Sequence, residues 1–282
     1  MKSYNHYNVN PNQFIEVATP LSAYLLGLIW ADGHVKNTPR CSPIRLSTTY
    51  PDATYFVSLF TQTGKWCVYT EKQKNHPTWK DRCIIYTNNR PLADFLVVNG
   101  YLAKSNDSAC KILNQIPNNL KHYWVRGLFD GDGYIHTDSK GSHRLGISST
   151  YKQDWKYMEN ICKTLGVDYS VHRKLIPAKK HASSEFVIYG MYRVIRFCNF
   201  MYDGFPSDEI GLYRKYGKLL QLKSTEEKNR YRGVCPHKNK WRAYTSGANN
   251  QTPKHLGIFS TKKEALEAVE VYYFTHPKCF LT

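Results

Sequence analysis

Acidic residues are scarce: 22 Asp and Glu stand against 39 Lys and Arg in 282 residues, a formal net charge of +17 at pH 7. That deficit points to a polyanionic partner. No polylysine tail concentrates the charge, so a folded basic surface is expected rather than a basic arm. Also missing is any apolar run long enough to span a membrane, or an apolar signal segment near the N-terminus. A soluble, intracellular, non-secreted protein is expected, at work in a bacterial or phage-infected cytoplasm or in an organelle, with no membrane partner. The eight cysteines never form a C-x-x-C pair. Zinc spacing and secretory context are therefore both lacking, and reduced thiols are expected. Aromatics are plentiful at 14%, with 22 tyrosines; tyrosine packs, hydrogen-bonds or stacks, so this number alone separates no function.

What the chain does contain is a repeated segment. Leu25 to Gly33 reads Leu-Leu-Gly-Leu-Ile-Trp-Ala-Asp-Gly, and Val125 to Gly133 reads Val-Arg-Gly-Leu-Phe-Asp-Gly-Asp-Gly. Each is an apolar helical stretch with glycine in its middle and an Asp-Gly stop. Glycine inside a helix costs roughly 1 kcal/mol against alanine. Two at matched positions, Gly27 and Gly127, predict helices packed backbone to backbone. The terminal glycines suit the left-handed residue that ends a helix. Asp32 and Asp132, 100 residues apart, would then meet at one end of the pair. Like charges so placed call for a cation between them.

These motifs resemble the paired signature helices of the LAGLIDADG homing endonucleases, in the single-chain form that carries both halves of a pseudo-dimer. The resemblance covers roughly residues 20 to 222. It implies that Asp32 and Asp132 hold catalytic divalent ions, Mg²⁺ with Mn²⁺ as a substitute, beside the backbone carbonyls of Ala31 and Gly131. It also implies a basic side chain near each scissile phosphate, assigned to Lys72 or Lys74 in one half and Lys174 in the other. The first motif departs from the family word at its sixth position, where Trp30 stands; the second keeps Asp130 there.

Along the chain, residues 1–19 read as a polar N-terminal arm, loose or lying on DNA, with a partly ordered terminus the favoured reading. Residues 20–119 form a first half and 120–222 a second, with the Asn-rich segment Lys104 to Lys121 joining them. Helix is expected at 21–32, loop at His34 to Pro39, and strand at Ile44 to Thr48. Helix follows at Asp52 to Thr61, strands at Trp66 to Lys72 and Arg82 to Thr87, and helix from Arg90 to Asn99. The second half replays this order with an offset drifting from 100 to 103, one unit used twice. A helix from Asp208 to Leu222 is expected to close it. The family pattern implies an α+β fold of two αββαββα units whose sheets form a DNA-binding saddle. Strand alternation sets Ile44, Leu46, Leu145 and Ile147 toward the helices. Arg45 and Ser47, like Arg144 and Ser148, then belong to the open face. Lys74, Arg82 and His172 are further DNA-facing candidates.

Residues 223–229 read as a charged linker, and 230–282 as a separate basic module. Strands are expected at Tyr231 to Val234, Trp241 to Tyr244 and Leu256 to Phe259. A helix capped by Thr261 should run from Lys262 to Phe274. The Tyr-Arg-Gly-Val opening, Trp-x-Ala and Leu-Gly-x-Phe strands and Glu-Ala helix resemble the plant ethylene-response-factor (APETALA-type) DNA-binding domain: a small three-stranded antiparallel sheet with one helix. That resemblance implies DNA contacts from Arg230, Arg232, Lys240, Trp241 and Arg242. For Trp241, burial under the helix is the competing reading.

Three functions compete. The first is a monomeric, metal-dependent endonuclease that cuts a long double-stranded DNA site across the minor groove and leaves short 3′ overhangs, the activity behind intron mobility. The second is a maturase that binds intron RNA. The third is a non-cleaving transcription regulator, which would be free to lose its carboxylates; neither is lost, and this reading ranks last.

Overall fold

A computed structural model describes residues 8–72, 80–102, 104, 107–139, 141–175, 182–230, 233–245 and 254–275. The first unit begins with a short helix, α1 (Asn12–Ile15), followed by α2 (Pro20–Asp32), β1 (Gly33–Val35) and β2 (Pro43–Thr49). It continues through α3 (Asp52–Thr61), β3 (Cys67–Glu71), β4 (Arg82–Asn88) and α4 (Arg90–Val98). A one-turn helix, α5 (Cys110–Leu113), lies in the connection. The second unit runs α6 (Lys121–Asp132), β5 (Gly133–Thr137), β6 (His143–Ser149), α7 (Lys156–Leu165), β7 (Ser170–Leu175), β8 (Ala182–Tyr189) and α8 (Met191–Met201). After it come α9 (Tyr213–Arg230), β9 (Val234–His237), β10 (Lys240–Tyr244), β11 (His255–Phe259) and α10 (Lys262–Thr275). The mixed helix-and-sheet class is as expected, and two successive stretches share the order αββαββα.

The two four-stranded antiparallel sheets have matching strand orders, β1-β2-β4-β3 and β5-β6-β8-β7. Each motif helix feeds directly into the first strand of its sheet. Alternation decides the faces: Ile44 and Leu46 are buried in the core while Arg45 and Ser47 are half-buried on the other side. Leu145 and Ile147 likewise pack inward, leaving Arg144 and Ser148 exposed. Between the sheets' inner faces lie α2 and α6. From Ser22 to Trp30 every residue of α2 is buried, the mark of a helix enclosed on all sides.

Several expectations change. Residues 8–19 are not a loose arm: Val9, Phe14 and Val17 are fully buried, and Val9 forms a β-bridge with Gly64. Three apolar side chains spaced along a polar stretch are enough to tie it down. The first part of the expected loop at His34 to Pro39 is strand, because β1 pairs with β2 from Gly33↔Leu46 to Val35↔Ile44. The final helix begins at Tyr213, not Asp208. The backbone before it wraps a fully buried guanidinium: Arg126 donates to Met201 O (2.9 Å), Asp203 O (2.5 Å), Ile210 O (2.5 Å) and the Asp208 carboxylate (3.0 Å). A buried cation must find acceptors, and helical carbonyls would not face it. That helix then runs on to Arg230, through the residues read as a linker; no glycine or proline occurs between Gly217 and Arg230. The second unit is closed by α8, so α9 is an addition to it.

In the C-terminal segment β9 starts at Val234 instead of Tyr231, and Tyr231 with Arg232 lies outside the described residues. The sheet order is β11-β10-β9, and α10 packs a small separate core of Val234, Ala243, Ala265 and Val269. Thr261 caps α10 as expected, its hydroxyl accepting from Glu264 N at 3.2 Å. Among the described residues no helix is long and apolar enough to cross a membrane.

Candidate metal centre and nucleic-acid interface

Gly27 and Gly127 bring α2 and α6 into backbone contact. A Cβ on Gly27 would stand 2.0 Å from Trp124 O, and one on Gly127 would stand 2.0 Å from Tyr24 O. The contact continues to the helix ends, where a Cβ on Gly131 would meet Ala31 Cβ at 2.4 Å and Asp32 Oδ2 at 3.2 Å. Asp32 thus lies against the residue next to Asp132. Gly33 and Gly133 end the helices in extended backbone, with φ −79° and −87°, not in the expected left-handed one. Space makes them glycine: side chains there would strike Ile29 O at 2.3 Å and the Phe129 ring at 2.1 Å.

The two carboxyls share one electrostatic setting. Asp32 presents its side chain to solvent, yet the crowded helix ends desolvate it enough to push its carboxyl up, against the pull of Lys104 and Lys215. Asp132 is pushed to about 6, first by burial and then by Asp32. Lys104 Nζ donates to Trp30 O (2.6 Å), Ala31 O (3.3 Å) and Gly33 O (2.9 Å). Lys215 Nζ donates to Phe129 O (2.6 Å), Asp130 O (2.8 Å) and Gly133 O (2.7 Å). Each ammonium therefore caps the negative end of one motif helix. Burial lowers both lysines to about 8, and the aspartates resist that shift.

These lysines were not found from the sequence. Lys104 follows Asp32 by 72 residues and Lys215 follows Asp132 by 83, so their spacing breaks the repeat that exposed the aspartates. Lys72 follows β3 and Lys174 lies on β7, the strands at the far edges of their sheets from β1 and β5. Three strand spacings, about 14 Å, separate those edges from the strands that leave the aspartates. The side chain of Lys174, and Lys74 entirely, lie outside the described residues.

A divalent cation fits this donor set. Two hard oxygen donors press on each other, and no group of three or more His, Cys, Asp or Glu side chains placed to hold a metal ion occurs among the described residues. Mg²⁺ takes one or two carboxylates and completes its shell with water and phosphate oxygens. The Ala31 carbonyl shares only a long contact with Lys104, and Lys215 contacts carbonyls on either side of Gly131. Asp130 is no part of this set. It is buried and accepts from the Tyr24 hydroxyl and the Leu212 amide, both at 2.8 Å, tying α2 to the approach to α9. At its counterpart Trp30 the ring packs edge-on to Tyr101 at 4.9 Å, and its buried Nε1 has no partner among the described residues.

On the open face of the first sheet, His34, Arg45 and Tyr86 form one cross-strand row and Thr49, Arg82 and Glu71 another, with Ser47 between them on β2. On the second sheet the rows are His136, Arg144 and Tyr189, then Ser148, Glu185 and His172. The sequence-predicted Arg45, Ser47 and Arg82 thus share one face, and Arg144, Ser148 and His172 the other. In the C-terminal sheet Lys240 is exposed and Arg242 donates to His237 Nδ1 at 2.7 Å. Trp241 faces the opposite way: it packs with Ala243 on the core under α10, with Lys262 Nζ 5.4 Å from its ring. Alternation within β10 puts Trp241 and Arg242 on different faces, so Trp241 belongs to the core. Arg230 ends α9, its side chain outside the described residues.

Among solved structures the chain is similar to the meganuclease I-SmaMI bound to uncleavable DNA, 13% identical with a TM-score of 0.47, over 75% of this chain and 92% of that one. I-DmoI in complex with DNA and Ca matches at 14% identity and a TM-score of 0.45, over 74% of this chain and 99% of that one. No curated protein sequence matches the chain. Within the second unit, residues 119–201 match the family model of the LAGLIDADG-like domain.

Proposed function

We propose that the chain is a divalent-metal-dependent DNA endonuclease of the LAGLIDADG type, which hydrolyses one phosphodiester in each strand of a long duplex site. The observation that carries this reading is the meeting of Asp32 and Asp132 at the joined ends of α2 and α6, between two lysine-capped helix termini and beside two open sheet faces rich in basic residues. A bound Mg²⁺, or Mn²⁺ in its place, supplies an activated water and stabilises the leaving 3′ oxygen. Asp32 and Asp132 hold it, helped by the carbonyls of Ala31 and Gly131. Lys104 and Lys215 are the assisting cations, in place of Lys72 and Lys174. Each has its ammonium committed to helix carbonyls, so it acts as a fixed charge that keeps the carboxylates ionised and offsets charge growing on the phosphate.

Close carboxylates favour cuts close together across the minor groove, leaving short 3′ overhangs. The sheet faces follow the duplex on either side, since a β-ribbon fits the major groove. One chain supplies both halves, so a monomer suffices. The C-terminal sheet and helix, which resemble the ethylene-response-factor domain, extend the contact through Lys240 and Arg242, with Arg230 and Arg232 nearby in sequence.

The test is cleavage of a randomised duplex library by the full chain in Mg²⁺. Asp32→Asn and Asp132→Asn should each abolish double-strand cutting. Lys104→Met or Lys215→Met should slow it by about 10²–10³-fold. Tight sequence-specific binding without any cut, in Mg²⁺ or Mn²⁺, would sink the nuclease reading and turn attention to intron RNA.

A further inference from the structure

Matched positions on the two open sheet faces carry their carboxylate on different strands. On the first sheet Glu71 of β3 stands opposite Arg82 of β4; on the second, His172 of β7 stands opposite Glu185 of β8. The two carboxylates are also treated differently. Glu71 is neutralised, its Oε2 accepting from Arg45 Nη2 at 2.9 Å. Glu185 has no cation partner among the described residues. Its Oε1 accepts from the Tyr134 hydroxyl at 2.7 Å and the Ser148 hydroxyl at 3.1 Å. The facing His172 turns its Nε2 to the Tyr189 hydroxyl at 3.1 Å.

Tyr134 is held in place for this. Gly146 leaves room for its ring, since a Cβ there would stand 2.5 Å from the Tyr134 hydroxyl and Cζ, and the Arg144 guanidinium lies 5.6 Å from the ring centre. Two donors on one oxygen fix the carboxylate plane. Among the described residues they leave Oε2 of a half-buried Glu185 without a partner, on the face opposite the core.

An unneutralised carboxylate on a surface that meets a polyanion is repelled unless it faces a donor. In the major groove the donors are the amino groups of cytosine N4 and adenine N6. Adenine sets an N7 acceptor beside its amino group, which a second carboxylate oxygen meets with repulsion; cytosine has no such neighbour on its own edge. We infer that Glu185 is a specificity-determining residue, held by Tyr134 and Ser148 so that its free oxygen accepts from a cytosine amino group. This rests on the DNA-binding reading above.

The test is selection of a randomised duplex library by the full-length protein in Ca²⁺, with wild type, Glu185→Gln and Glu185→Ala in parallel. Glutamine keeps an oxygen for both hydroxyls and puts an amide donor where the free carboxylate oxygen stood. At one base pair the wild type should favour cytosine by about tenfold to a hundredfold. The glutamine variant should invert that preference toward the acceptors of guanine or thymine, and the alanine variant should flatten it, with other positions unchanged. Variants that select the wild-type motif at every position overturn the inference and leave DNA recognition standing. Preferences lost at many positions at once make Glu185 a structural prop and overturn it too. A wild type that enriches no motif removes the DNA reading itself, and this inference with it.

Discussion

Between about pH 4 and pH 6 the carboxyl of Asp132 keeps a proton in the fold that it releases in the unfolded chain, because its native value is raised to about 6. The folded state binds more protons across that window, so stability falls as pH rises through it and stays low above it. Asp132→Asn removes the penalty. The metal-free variant should therefore be more stable than wild type above pH 6, by on the order of 1–2 kcal/mol after allowing for partial solvent contact, and should match it near pH 4. Thermal melts in EDTA across this range check it; a wild type as stable as the variant at pH 7 contradicts the crowding of the two carboxylates. At this scale the sequence exposed whatever the repeat duplicated. Asp32 and Asp132 recur at one offset and were legible. Lys104 and Lys215 reach the helix ends from segments of different length, so only the folded chain reveals that they do the same thing. Trp241 was ambiguous because a tryptophan suits both a DNA face and a small core, and only the register of β10 decides between them.

Among the elements, the contact between α2 and α6 depends on the absence of two side chains. Gly27→Ala or Gly127→Ala sets a methyl 2.0 Å from a backbone oxygen of the other helix, and neither backbone can yield without parting the pair. A loss of about 3 kcal/mol or more is expected, measurable by urea unfolding. The same change at Gly217, where a Cβ meets nothing within 4 Å, should be neutral or slightly stabilising. Equal effects at Gly27 and Gly217 would contradict the close approach. Helices and strands were legible where apolar periodicity was strong, as in β2, α3, α4 and α10. The three-residue strand β1 was not, because two buried positions in three residues cannot establish a period. The start of α9 was hidden for another reason: the backbone there answers to Arg126, whose burial is set by neighbours far away in sequence.

For the molecule as a whole, two hydrophobic clusters form among the described residues, one running from Val9 to Leu222 and one within Val234 to Val269. Removing residues 231–282 leaves the first intact. The shortened protein should cut the same site, bind it more weakly, and lose affinity less steeply with salt, since fewer phosphates are neutralised. Titrations at several salt concentrations check this. An unchanged slope and affinity would mean that the terminal module does not touch DNA. The duplicated order of elements was legible at this scale because both copies kept their strands in register; the swap of the carboxylate between strands was not, since it needs the cross-strand pairing of Glu71 with Arg82 and of His172 with Glu185. That swap has a bearing on the DNA itself. Two faces of matching shape, one with a neutralised carboxylate and the other with an unneutralised one on a different strand, are not satisfied alike by a palindrome, so the preferred site should lack a dyad there, and the protein should settle on it in one direction only.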